Sequence, residues 1–159
     1  MIAAAVVAAT LFAWPEPIGP RRIVDDVVAL QAGIDQADRA TLHGRTIPAT
    51  AFAGRVAGAG WRPVALRDGR VDGRTVTSVV WEKAGRRVVH SVLSGPPVGR
   101  PDGSGRTGRA GMLLYSLPGE LREVVTWTEG GATAVISGAD IAAGDLYDLA
   151  GGPARPARR

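Results

Sequence analysis

Thr75 to Trp81 (TVTSVVW) and Arg87 to Leu93 (RVVHSVL) decide the fold. Both segments are rich in β-branched residues, and they flank Glu82–Arg86, where Gly85 suits a tight turn. This predicts an antiparallel hairpin. A second pair repeats the pattern: Glu123 to Thr128 (EVVTWT), then Glu129-Gly130-Gly131, then Ala132 to Ser137 (ATAVIS). A further strand around Pro63–Arg67 is expected to turn at Asp68-Gly69, with Asp72-Gly73 as another tight turn.

Helical spacing frames these strands. Ile23, Val27, Leu30 and Ile34 recur at the helical period, with Val24 and Val28 widening the stripe, so residues 23–34 predict a helix. Asp25 and Asp26 are expected in its first turn, where the helix dipole favours acids. Pro48 can open a second short helix with Phe52 and Val56 inside, stopped by Gly58 or Gly60. A final helix is expected over 138–150, burying Ile141, Leu146 and Leu149 and ending at Gly151. Ser137 and Asp140 have the spacing of a capping box at its start. The sum is an α+β domain: an antiparallel sheet of hairpins, its flanking helices packed mainly on one face, preceded by a hydrophobic N-terminal helix.

That N-terminal segment is Ile2 to Trp14 (IAAAVVAATLFAW), apolar all round and closed by PEPIGP. As a helix it would reach about 20 Å, short of the roughly 30 Å hydrocarbon core. It suits a signal segment, or the end of a membrane helix begun upstream of Met1 with Trp14 at the interface. A buried N-terminal helix is the third reading. The organisation expected is therefore a membrane or signal segment (1–14), a Pro-rich linker (15–22), one sensor-like domain (23–150) and a basic, disordered tail (151–159). The protein would be single-pass in the cell membrane with the domain extracytoplasmic, or else secreted or periplasmic.

Composition narrows the chemistry. Of 159 residues 45% are apolar, enough for one core. There is no cysteine, which excludes disulfides, thiolate metal sites and cysteine nucleophiles. The net charge of +4 looks basic, yet Arg155, Arg158 and Arg159 in the tail account for all but about one unit of it. Elsewhere arginines alternate with acids, so no basic stripe or stacking platform for nucleic acid is present.

Each candidate site has a plainer reading. Gly103-Ser104-Gly105-Arg106-Thr107-Gly108 is formally G-x-G-x-x-G, but a dinucleotide site needs a strand before it and a helix after it. Residues 98–110 are instead expected to be an irregular, exposed loop. His90 and Ser91 are neighbours on a strand and point to opposite faces, so they cannot act as base and nucleophile. His43 sits in a polar stretch with no acid at ligand spacing. Asp25/Asp26 and Asp145/Asp148 are ordinary acids of helix surfaces. Trp61, Trp81 and Trp127 are core candidates, with Trp81 and Trp127 alternatively forming an exposed binding face. No catalytic, cofactor-binding or metal-ligating residue is assigned, and no cofactor, metal or nucleic-acid partner is expected.

The order of these pieces resembles the extracytoplasmic part of bacterial transmembrane anti-sigma factors and related putative transmembrane transcriptional regulators. The helix Ile23–Ile34, the Gly60-Trp61-Arg62-Pro63 segment and the hairpin Val71–Val89 (VDGRTVTSVVWEKAGRRVV) carry the likeness. The hairpin Val124–Ser137 (VVTWTEGGATAVIS) and the Leu-rich helix Asp140–Leu149 complete it. The resemblance implies a non-catalytic, extracytoplasmic sensor or interaction domain, meeting a protein partner or signal ligand outside the cytoplasm and reaching the membrane through residues 1–14. Members of that group commonly carry a cytoplasmic sigma-binding domain, often with a His/Cys zinc motif, which these 159 residues lack. The alternatives are a small secreted or periplasmic hydrolase and a plain partner-binding module.

Overall fold

The computed structural model describes residues 18–35, 42, 45–118 and 122–152. The apolar run 2–14, His43 and the tail arginines lie outside the described residues. Ten elements follow in order: α1 (Pro20–Asp35), α2 (Ala51–Gly58), β1 (Arg62–Val71), β2 (Arg74–Lys83), β3 (Arg86–Leu93), β4 (Gly105–Arg109), β5 (Met112–Leu117), β6 (Glu123–Glu129), β7 (Ala132–Gly138) and α3 (Ala143–Gly151). All seven strands form one antiparallel sheet in the order β1-β2-β3-β7-β6-β5-β4. Two meanders, β1–β3 and β4–β7, join where β3 pairs with β7. The α+β class and both expected hairpins are present.

The helices do not gather mainly on one face. α1 packs across β1, β2, β3 and β7, burying Ile23, Val24 and Val27 against Val76, Leu93 and Val135. α2 and α3 close the opposite face, where Phe52, Val56 and Leu146 pack with Trp81, Val88, Trp127 and Ile136. The strands explain this correction. Val79 and Trp81 face one way while Val76 and Val80 face the other, so β2 is apolar on both sides and each side needs a cover.

Turn chemistry sets the register. Four two-residue turns, Asp72-Gly73, Ala84-Gly85, Ala110-Gly111 and Gly130-Gly131, hold both residues at positive φ, as type I′ hairpins require. The expected turn at Asp68-Gly69 is not one of them: β1 runs straight through it to Val71. Gly69 answers a different need, because a Cβ there would stand 2.6 Å from Leu30 Cδ2 of the overlying α1.

Other boundaries shift for local reasons. α1 starts at Pro20, inside the expected linker; Ile23 N–H donates to Gly19 O, and proline fits a first helical position whose N–H has no partner. Asp25 and Asp26 therefore fall in the second turn, exposed, with Asp25 paired to Arg21 at 3.0 Å. α2 is capped by Thr50, whose Oγ1 accepts from Ala53 N at 3.0 Å. It closes through Gly60 N→Ala57 O and Trp61 N→Val56 O, a Schellman arrangement with Gly60 at φ +82. α3 begins only at Ala143, with Ala142 as its cap and no side-chain bond, so the Ser137/Asp140 capping box is not formed. Ser137 is instead buried in β7.

Residues 98–110 meet the expectation in part: 98–104 are irregular, most of the segment is exposed and no helix starts in it, but its second half is a strand. Gly105–Arg109 is an edge strand paired with β5, and Pro101 and Ser104 are buried. The preceding connection leaves β3 and enters β4 four strands away, a traverse of roughly 19 Å at the usual strand spacing. Val98 N donates to Thr133 Oγ1 at 2.7 Å, and Val98 packs with the α1-side cluster. The segment is a structured crossover. With no helix after Gly108, the G-x-G-x-x-G pattern cannot place an anion on a helix terminus.

Candidate functional site

Two places merit functional scrutiny, and α2 touches both. The first lies beneath it. His90 on β3 is buried in a ring cluster, stacked on Phe52 at 4.0 Å with planes 19° apart and 5.7 Å from the indole of Trp127, which is itself 5.7 Å from Phe52. Phe52 also meets Trp81 edge-on at 6.3 Å. Glu129, at the end of β6, accepts from Phe52 N through Oε1 at 2.8 Å and so caps the α2 N-terminus. Its Oε2 stands 3.9 Å from His90 Nε2, beyond hydrogen-bond reach.

Burial, seconded by the Arg55 guanidinium, pushes His90 down to about 3. The imidazole is thus neutral at ordinary pH. His90 Nε2, Glu129 Oε2, Trp81 Nε1 and Trp127 Nε1 are all buried without a protein hydrogen-bond partner. The void beside His90, lined by Trp81, Thr50 and Ile47 among others, measures only about 10 Å³. It is room for one water and not for a substrate. The sequence-based reading of His90 as a sheet residue holds, and Trp81 and Trp127 are core, each 2% exposed, rather than an exposed binding face.

Ser91 points to the opposite face, as strand alternation requires, and belongs to a buried polar chain. Ser78 Oγ and Ser91 Oγ lie 2.7 Å apart. Gln31 of α1 donates through Nε2 to Ser91 Oγ at 2.8 Å and to the carbonyls of Val135 and Val89 at 3.2 and 3.3 Å. Ser137 Oγ donates to Gln31 Oε1 at 2.6 Å. The serines are consumed by docking α1. Sequence reading missed Gln31; its only signal was a polar residue on the inner side of the 23–34 stripe.

The second place is open. A cleft of about 400 Å³ lies between the end of α2, α3 and the β2–β3 turn. Trp61, Leu149 and Ala59 supply apolar lining. Lys83 and Arg86 enter from either side of Ala84-Gly85, and Asp145 and Asp148 from α3. Arg86 Nη2 donates to Asp145 Oδ2 at 2.9 Å, while Asp148 Oδ1 stands 3.7 Å from Arg109 Nε. Lys83 Nζ donates to Ala59 O at 2.6 Å. Asp145 and Asp148, expected as plain surface acids, are exposed but face this cleft, which brings them together with Trp61. A smaller pocket of about 200 Å³ shares Ala59, Asp148 and Leu149 with the cleft and reaches Arg55.

Among the described residues no His, Asp and Glu side chains assemble into a metal-binding group, and no helix is long and apolar enough to cross a membrane. Comparison with known proteins leaves the chain to be read on its own geometry: no family model, no curated protein and no solved structure matches it.

Proposed function

We propose that this chain is a non-catalytic binding module that senses a ligand or partner outside the cytoplasm, in the manner of the extracytoplasmic part of a transmembrane anti-sigma factor. In this reading residues 1–14 hold it at a membrane, and the open cleft between α2, α3 and the β2–β3 turn receives the signal. The observation that carries the reading is a division of labour. His90, Ser78, Ser91 and Ser137, the side chains best suited to acid–base or nucleophilic work, are buried in packing. The cleft, by contrast, combines an apolar lining with charged groups of both signs, the usual make-up of a binding site.

The test is a pair of reporter fusions after residue 152 in a bacterial host. An alkaline phosphatase fusion, active only outside the cytoplasm, should be active, and a β-galactosidase fusion should be silent. The opposite pattern would sink the extracytoplasmic reading.

A further inference from the structure

We infer that the cleft takes a small monocarboxylate with an apolar body, its carboxylate on Lys83 and its body against Trp61 and Leu149. This rests on the reading of the cleft as the binding site. The argument begins with the charges. Arg86 is neutralised by Asp145 across the cleft, and Asp148 has Arg109 beside it. Lys83 differs: its partner is a backbone carbonyl, Ala59 O at the C-terminal end of α2, and no described carboxylate pairs with it. An ammonium held by one neutral acceptor keeps donors and a full positive charge for a ligand. The charged lining residues, Lys83, Arg86, Asp145 and Asp148, balance one another in sum, but with Arg109 standing outside the lining beside Asp148, Lys83 is the lining cation left without a described carboxylate partner.

The same pattern selects the anion. A dianionic phosphate would need a second unpaired cation and would face Asp145 and Asp148 on the opposite wall. A single carboxylate needs one cation and has one. A cationic ligand finds both acids already beside an arginine. The apolar part follows from the lining: Trp61 is held in place by its backbone bond to Val56 O, and Leu149 sits beside it on α3. A volume of about 400 Å³ lies within the range of small-molecule sites.

The experiment is an NMR titration of the ¹⁵N-labelled full chain with 3-phenylpropionate, compared with the neutral 3-phenylpropan-1-ol. The acid should shift the Trp61 indole N–H and the Ala59 and Leu149 amides saturably. The alcohol should bind about fivefold more weakly, the contribution of one partly exposed ion pair. Lys83→Met should show the same loss for the acid, and Lys83→Arg should restore it. Equal binding of acid and alcohol, or no effect of Lys83→Met, would overturn the ligand class while leaving the cleft as a site. Absence of a saturable Trp61 shift with either probe would overturn the cleft itself.

Discussion

Phe52 of α2 lies stacked on His90 of β3, ring centroids 4.0 Å apart, so the helix closes directly over a neutral imidazole. Burial lowers the folded-state value of His90 to about 3, against 6.5 when unfolded. The folded state then binds fewer protons than the unfolded state at every pH between these values. Stability is full above about 6.5 and falls toward 3, by roughly 1.4 kcal/mol per pH unit. Arg55, whose charge adds to the effect of burial, and Glu129, 3.9 Å from Nε2, are charged groups that face the ring. Chemical denaturation at pH 7 and pH 5 should differ by about 2 kcal/mol in the native chain. In His90→Leu most of that difference should vanish; an unchanged slope would mean that His90 titrates freely.

Ser137 and Gln31 anchor the other face. Replacing Gln31 with Leu removes its bonds to Ser91, Ser137 and two carbonyls, leaving Ser91 only its contact with Ser78 among the bonds described above, and should cost about 3 kcal/mol. Adding Ser137→Ala should recover part of that loss, because the Ser137 hydroxyl, whose proton loses its acceptor in the single variant while Arg122 Nη1 still donates to it at 3.4 Å, disappears with it. Urea midpoints of the two single variants and the double variant measure the coupling, and strict additivity would refute the network.

Gly151 marks the contact between α3 and β4. A Cβ there would collide with Arg109 Cβ, an atom too close to the backbone to swing away. Gly151→Ala is expected to destabilise by about 1–3 kcal/mol despite its better helix propensity. Gly144→Ala, with open space around its Cβ, is the control and should stabilise slightly. Equal effects in a thermal melt would contradict the close packing.

Ala110 occupies a left-handed turn position at φ +46, with Gly111 following. Asn tolerates that region better than Ala and makes the favoured Asn-Gly pair. Ala110→Asn should raise stability by about 0.5–1 kcal/mol, read as a higher melting temperature. A lower one would place the β4–β5 turn in another class.

Local signals carried much of the architecture. Alternating β-branched runs around Gly85 and Gly130-Gly131 were enough to locate β2, β3, β6 and β7, because hairpin pairing depends on neighbours in sequence. The Ile23–Ile34 stripe and the Phe52/Val56 pair located α1 and α2 for the same reason. Trp81 and His90 were assigned to strands from propensity alone, and Ser91 to the face opposite His90 from strand alternation.

What needed the tertiary structure was every relationship between distant segments. Whether a helix covers one face or the other depends on which side of a doubly apolar strand remains bare, and that is settled only when α1, α2 and α3 compete for the sheet. Gly69 and Gly151 carry the same letter as turn glycines, yet their role is to let Leu30 and Arg109 approach. The G-x-G-x-x-G stretch became a crossover and an edge strand because β4 pairs at the far side of the sheet from β3, a long-range contact with no local signature. The cleft has the same origin. Trp61, Lys83, Arg86, Asp145 and Asp148 lie on three separate segments, and only the packing of α2 and α3 beside the β2–β3 turn leaves Lys83 as the cation without a described carboxylate.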